Sequence, residues 1–95
     1  MDVNKVIGAL NSGLRREILS ILSKQPMTVL QVLEELKRRT GGVRYRETVY
    51  RALERLVDSG LVEKYYEKEK GLCYKLVSNC IMIRIEKDSV DISER

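Results

Sequence analysis

The chain has 95 residues, of which 43% are hydrophobic and 34% charged, and it contains no histidine, tryptophan or phenylalanine. This length favours a single domain, residues 1–95, because one small core needs most of it to offset the entropy of the chain. The sequence has no apolar run near the roughly 18 residues of a membrane helix, and its first ten residues lack the continuous apolar stretch of a signal peptide. We therefore expect a cytoplasmic protein with no membrane partner.

Positive charge is concentrated in the middle of the chain. Eighteen basic residues against 14 acidic ones give a net charge of +4. Seven of the basic residues but only two of the acidic ones lie in segment 37–55, whose net charge is +5. This clustering means more than the modest overall excess, because a local basic surface attracts polyanions.

The two cysteines, Cys73 and Cys80, have no histidine to accompany them. They form neither a zinc ligand set nor a disulfide framework, so we expect buried thiols, no metal site and no cofactor. A redox role for the pair is the alternative that the sequence leaves open.

Residues 2–10 are predicted to form a short amphipathic helix with Asp2 as its N-cap. Their apolar side chains recur at helical spacing, and a stripe this short needs a partner surface. The stripe consists of Val3, Val6, Ile7 and Leu10.

Two longer helices are predicted next. The first begins after Asn11 or Ser12 and should end near Lys24, because Pro26 disfavours helical backbone at the residue before it. The second opens on "TVLQ", a capping-box spacing, and closes on the basic "KRR" before "TGG".

Segment 44–59 predicts a fourth helix with two different faces. At 100° per residue its apolar side chains fall on one arc and its charged side chains on the opposite arc. One face is therefore predicted to pack on the core and the other to meet solvent. The core-facing residues are Val49, Ala52, Leu53, Leu56 and Val57.

Residues 61–77 predict a β-hairpin. "LVEKYYE" and "LCYKLV" have strand character, the turn between them carries Lys68 and Lys70, and Gly71 can supply a positive φ angle. Beyond the hairpin, "IMIRIE" alternates apolar and polar residues and "KDS" can turn it back, which predicts a further strand or hairpin.

This order of elements predicts an α+β, mainly helical, winged helix-turn-helix with an N-terminal amphipathic helix and a β-type C-terminal tail. Within it, "LRREILSIL", "TVYRALERLVDSGLVEK" and "YKL" resemble the winged-helix transcriptional regulators of the ArsR and PadR type. The resemblance covers about residues 11–77. It implies a homodimeric regulator that binds double-stranded DNA, with helix 44–59 in the major groove and hairpin 61–77 as the wing.

The basic face of helix 44–59 is the candidate site. An arginine fork matches the acceptor pair of guanine, phosphates accept hydrogen bonds from Arg, Lys, Tyr and Thr, and residues near the helix start reach deepest. Toward bases or groove walls we place Arg46, Glu47, Tyr50 and Arg51. Toward phosphates we place Arg44, Tyr45, Thr48 and Arg55. From the wing, phosphates or the minor groove would be met by Lys64, Lys68 and Lys70.

Several of these residues also have a plainer interpretation. Charges opposite a core face are usually only a solvated surface, and a tyrosine at a helix boundary can pack while its hydroxyl stays in water. The acids Glu47 and Glu54 either accept from a cytosine amino group or hold nearby arginines through i,i+4 pairs such as Glu47 with Arg51, and we favour the pairs. Three tyrosines of the wing strands are predicted to be structural: Tyr65, Tyr66 and Tyr74.

The predicted β tail departs from both families, since PadR-type regulators carry a long helical dimerisation region and ArsR-type regulators usually end in a helix. Two apolar sets, in residues 1–10 and 78–95, have no obvious place in a minimal winged-helix core and are assigned to a two-fold contact. They comprise Val3, Val6, Ile7, Leu10, Ile81, Ile83 and Ile85.

A protein-interaction module within a transcription complex is the rival hypothesis, because the mixed Arg/Glu face could pair with a partner's charges. An enzyme is not expected, since the sequence has no histidine, no Gly-rich phosphate loop and no nucleophile beside a base. No small-molecule effector is assigned from the sequence.

Overall fold

The computed structural model describes residues 2–42, 45–77, 81–86 and 89–94, the last two ranges as backbone. The helices are α1 (Val3–Leu10), α2 (Gly13–Leu22), α3 (Val29–Thr40) and α4 (Arg46–Asp58). The strands are β1 (Val62–Glu67), β2 (Gly71–Leu76), β3 (Ile81–Glu86) and β4 (Ser89–Glu94), which form two antiparallel hairpins. The predicted α+β winged-helix architecture is confirmed.

The first three helices begin at side-chain caps that the sequence indicates. Asp2 caps α1, and Ser12 rather than Asn11 caps α2. At the start of α3, Thr28 and Gln31 form the predicted capping box. The Thr28 hydroxyl accepts from the backbone N–H of Gln31 at 3.2 Å, and the Gln31 side-chain oxygen accepts from the backbone N–H of Thr28 at 2.9 Å. Because these amides lack intrahelical partners, the caps fix where the helices start.

The core lies where the helices meet the first hairpin. The core face of α4 is confirmed, with Val57 half-buried at its edge. The largest side chains with almost no accessible surface come from all four helices and from the hairpin region: Val6, Ile18, Ile21, Val32, Leu36, Val49, Leu53, Leu56, Leu61, Val62 and Tyr74.

Helix α1 is partly built into this core. Val6 and Ala9 have no accessible surface, whereas Ile7 is 45% exposed. Val3 and Leu10 are half-buried. The prediction that places Val6 in a contact between two copies is therefore wrong, because its side chain is already covered within the protomer. The rest of the stripe reaches the surface.

The C-terminal end of α1 is fastened by two arginine side chains of α2. Arg15 donates from Nε to the carbonyl oxygen of Ala9 at 2.7 Å and from Nη2 to that of Gly8 at 3.1 Å. Arg16 donates from Nη1 to the carbonyl oxygen of Leu10 at 2.6 Å. Intrahelical donors run out at this end of a helix, and its dipole favours a cation there.

Arg15→Ala is expected to lower the free energy of unfolding by about 1 to 2 kcal/mol, because two partly buried hydrogen bonds are lost. Arg16→Ala removes one hydrogen bond from an exposed side chain and should cost clearly less. Urea unfolding followed by circular dichroism measures both variants. An unfolding midpoint for Arg15→Ala equal to that of the unchanged protein would show that these bonds do not fasten α1.

The β1–β2 hairpin is joined to the start of α3 by a short backbone bridge that the sequence did not predict. Met27 and Tyr74 exchange two hydrogen bonds, with N to O distances of 3.0 and 2.8 Å. Because Met27 lies just before α3, the bridge ties β2 to the start of that helix. The turn closes at Gly71, whose φ of +86° favours glycine as predicted.

The predicted β tail is present as the β3–β4 hairpin. Its register pairs Ile83 with Ile92 and Ile85 with Val90, and β4 passes beside α1. Only backbone is described for β3, which contains Ile81, Ile83 and Ile85, so their place in an interface stays a prediction. Two other residues singled out above, Arg44 and Cys80, lie outside the described residues.

Candidate nucleic-acid interface

The outer face of α4 is exposed along its length. Tyr45, which precedes the helix, is 74% exposed. The opposite face is held by Val49, Leu53 and Leu56, which have no accessible surface. The core therefore fixes the orientation in which α4 presents its outer side chains. These exposed residues are Arg46, Glu47, Thr48, Tyr50, Arg51 and Arg55.

Two grooves flank α4, and seven of the predicted site residues line one or the other. The wing-side groove lies between α4, the start of α3 and the turn of the first hairpin, and its lining includes Arg46, Glu47, Tyr50, Lys70 and Leu72. The α2-side groove lies between α4 and the start of α2, and its lining includes Leu14, Arg15, Thr48, Arg51 and Arg55. The exposed α4 residues form a ridge with a groove on each side, and this ridge is the candidate site. The ridge consists of Arg46, Glu47, Thr48, Tyr50, Arg51 and Arg55.

Arg51 is held by Glu47, one turn earlier on α4. Its Nε lies 3.0 Å from the Glu47 Oε1, which confirms the predicted i,i+4 pair. The two side chains are 78% and 67% exposed, so the pair orients the guanidinium but adds only about 0.5 kcal/mol to stability. Within the described part of the chain, neither Arg46 nor Arg55 pairs with a carboxylate.

Glu54 has a role that neither sequence-based alternative anticipates. Its carboxylate accepts a hydrogen bond from Lys64 Nζ on β1 at 2.8 Å and another from the hydroxyl of Tyr74 on β2 at 2.9 Å. We call these three residues the Glu54 junction. The prediction that Glu54 holds an arginine of its own helix is wrong, because two donors from the hairpin occupy its carboxylate instead. The junction joins α4 to both strands of the wing.

The Glu54 junction shifts the pKa values of its three members. The hydrogen bond from Lys64 holds the pKa of Glu54 below its usual value of 4.5, against the opposing effect of burial. The same hydrogen bond raises the pKa of Lys64. Burial, followed by the hydrogen bond to Glu54, raises the pKa of Tyr74 far above its usual value. At neutral pH the junction therefore holds a carboxylate, an ammonium and a neutral phenol.

The three wing lysines fall into two kinds. Lys68 and Lys70 are exposed at the turn, beside the equally exposed Glu67 and Glu69. Lys64 instead lies along β1 with its ammonium engaged by Glu54. The sequence predicts the same DNA-binding role for all three lysines. The contact that distinguishes Lys64 is its bond to Glu54, which lies ten positions away in the chain.

The tyrosines of the wing also differ from one another. Tyr74 is fully buried, and Tyr65 is half-buried with the ammonium of Lys75 5.3 Å from its ring centroid. Tyr66 is 82% exposed, so the prediction that it is structural is wrong. Strand alternation could have indicated a role for Tyr66 at the surface. It places Tyr66 on the same face of β1 as Lys64, which was predicted to meet DNA, and two residues nearer the turn.

Cys73 is a buried free thiol, as predicted, with its Sγ 3.8 Å from a carboxylate oxygen of Glu67. Over the described ranges, no group of three or more His, Cys, Asp or Glu side chains is placed to hold a metal ion. In the same ranges, no helix combines the length and the apolar character needed to cross a membrane.

Comparison with known proteins identifies the family. A search of the curated proteins found no match. The family model described as "Transcriptional regulator PadR-like family" matches residues 18–76 of this 95-residue chain. That range runs from within α2 through α3 and α4 to the end of β2, so it contains the ridge, the wing-side groove and the Glu54 junction. The chain belongs to the PadR-like family of transcriptional regulators.

Proposed function

We propose that the protein is a sequence-specific regulator that binds double-stranded DNA as a homodimer, with α4 in the major groove and the β1–β2 hairpin as the wing. The observation that carries the proposal is the exposed basic ridge of α4, set between two grooves on a helix whose other face is buried. Membership of a family of transcriptional regulators supports the DNA partner.

Each ridge residue has a proposed role that follows from its position. Residues near the start of the helix reach deepest, and arginine matches guanine in the major groove. Base edges or groove walls are proposed for Arg46, Glu47, Tyr50 and Arg51. Phosphates are proposed for Arg44, Tyr45, Thr48 and Arg55, together with Lys68 and Lys70 of the wing. Lys64 is proposed to hold the wing against α4, since its ammonium is bound to Glu54.

The dimer contact is proposed for the exposed part of α1 and the tail. Ile7, with Val3 and Leu10 beside it, forms an apolar surface next to β4, so the helix and the β3–β4 hairpin can act together. The tail residues included in the proposal are Ile81, Ile83 and Ile85. A two-fold dimer would place two copies of α4 about 34 Å apart, which predicts a roughly palindromic site.

Titration of a labelled duplex at several salt concentrations tests DNA binding. Affinity should fall steeply as salt rises, because each cation that meets a phosphate releases counterions. Lys68→Ala should weaken all sequences alike and reduce the salt slope by about one. Lys24→Ala, an exposed lysine between α2 and α3, is the matched control and should change neither. Absent or salt-independent binding would contradict the proposal.

Selection of bound sequences from a random duplex pool tests specificity and symmetry together. A palindromic consensus is the expected result. The rival function is docking on a protein, which the acidic Glu47 within the ridge favours. A stoichiometric protein partner, with duplex dissociation constants at or above roughly 10⁻⁴ M, would support that rival instead.

A further inference from the structure

We propose that Tyr66 contacts DNA from the wing. Its hydroxyl would donate a hydrogen bond to a phosphate of the DNA strand that runs beside the wing-side groove. This inference rests on the proposed function and adds a residue to it. The sequence assigned this part of the wing to Lys64 and left Tyr66 a structural role. The pairing of Lys64 with Glu54 and the exposure of Tyr66 favour the opposite assignment.

The register of the hairpin places Tyr66 next to a residue of the wing-side groove. Tyr66 lies opposite Leu72, and Lys64 lies opposite Tyr74. Leu72 lines the wing-side groove, whereas the Lys64 and Tyr74 pair meets Glu54 on α4. Tyr66 therefore stands on the face of the hairpin that is turned toward α4, but two residues beyond the point where α4 covers it.

Lys64, the cation two residues from Tyr66 on the same face of β1, is already paired with a carboxylate. Lys64 Nζ lies 2.8 Å from Glu54, and a phosphate could recruit it only by breaking that pair. The same hydrogen bond raises the pKa of Lys64, so the lysine stays charged within the pair.

The exposure of Tyr66 is consistent with an external partner. It leaves 82% of its surface in water, whereas the neighbouring Tyr65 on the opposite face is half-buried and packs with Lys75. A tyrosine offers an apolar ring that can lie against a sugar and a hydroxyl that can donate to a phosphate. Beside a lysine whose charge is balanced by Glu54, Tyr66 would supply an uncharged contact with the DNA backbone.

Tyr66→Phe is expected to weaken duplex binding by about three- to tenfold, because it removes one hydrogen bond and keeps the ring. The salt slope should stay unchanged, since no counterion-releasing cation is lost, in contrast to Lys68→Ala. Tyr65→Phe is the matched control on the opposite face of the same strand and should bind like the unchanged protein. Because Tyr66 is exposed, the thermal midpoint of Tyr66→Phe should not move.

Single methylphosphonate substitutions in the duplex locate the contact. At one position the substitution should weaken binding of the unchanged protein, because the uncharged methylphosphonate is a poorer hydrogen-bond acceptor than the phosphate. The same substitution should weaken binding of Tyr66→Phe less, since that variant has no hydroxyl to donate. Equal binding by Tyr66→Phe and the unchanged protein would overturn the inference while leaving the proposed function intact. A Tyr66→Phe defect in dimerisation alone, measured by sedimentation, would also overturn it by assigning Tyr66 to a protein contact. If the unchanged protein binds no duplex at any salt concentration, the proposed function itself fails.

Discussion

Arg51→Ala should weaken binding to the preferred duplex by about 1 to 3 kcal/mol and flatten the preference at one base-pair position. The bond to Glu47 uses Nε, and the Arg51 side chain is 78% exposed. The terminal guanidinium nitrogens are therefore oriented by the helix and remain available to a guanine edge. Competition between the preferred duplex and single-position variants of it measures both the loss of affinity and the loss of discrimination.

Glu47→Gln tests two effects of Glu47 separately: its hold on the orientation of Arg51 and its negative charge. Removing the carboxylate should strengthen binding to all duplexes, because a negative charge that repels the phosphates is lost. Discrimination should fall, since Arg51 is no longer held by an ion pair. Arg55→Ala, at the far end of the ridge, is the comparison variant and should weaken all sequences equally. If Arg51→Ala behaves like Arg55→Ala, Arg51 contacts a phosphate and does not read a base.

The helices and their faces were predictable because the signals are local. A stripe at helical spacing and a capping box each involve residues within one or two turns, and Asp2, Thr28 and Gln31 behave as their positions indicate. The pair of Glu47 with Arg51 was predictable for the same reason, since i,i+4 neighbours on a helix are adjacent whatever surrounds them.

The contacts between distant elements were not predictable from spacing. Glu54 meets Lys64 and Tyr74 only after the hairpin has folded back on α4. Val6 is covered only because α1 packs against the other helices. Such contacts depend on how the elements dock, which periodicity does not specify. The sequence therefore located the ridge but misassigned the residues that join it to the wing.

Removal of the Glu54 junction should destabilise the domain, because it joins α4 to both strands of the wing. Glu54→Ala should lower the free energy of unfolding by about 1 to 3 kcal/mol, because the hydroxyl of the fully buried Tyr74 loses its acceptor. Glu54→Gln keeps an acceptor oxygen and should cost less.

Because the pKa of Glu54 is lowered in the folded state, its carboxylate contributes stability above its unfolded pKa, and that contribution is lost as pH falls through the folded pKa. The difference in urea midpoint between the unchanged protein and Glu54→Gln should therefore narrow below about pH 4.5. A difference that is constant with pH would show that the charge of Glu54 is not involved.

Loss of the junction should also uncouple the wing from α4 during DNA binding. If the junction sets the angle of the wing, Lys68→Ala should weaken binding less in the Glu54→Ala background than in the unchanged protein, because the wing is no longer held against the duplex. Lys64→Met gives the matched comparison, since it removes the bond to Glu54 from β1 and leaves the Tyr74 hydroxyl paired. A partial loss of coupling is expected for Lys64→Met and a larger one for Glu54→Ala. Additive effects of Lys68→Ala in all three backgrounds would show that the wing is positioned without the junction, with the backbone bridge between Met27 and Tyr74 sufficient to hold it.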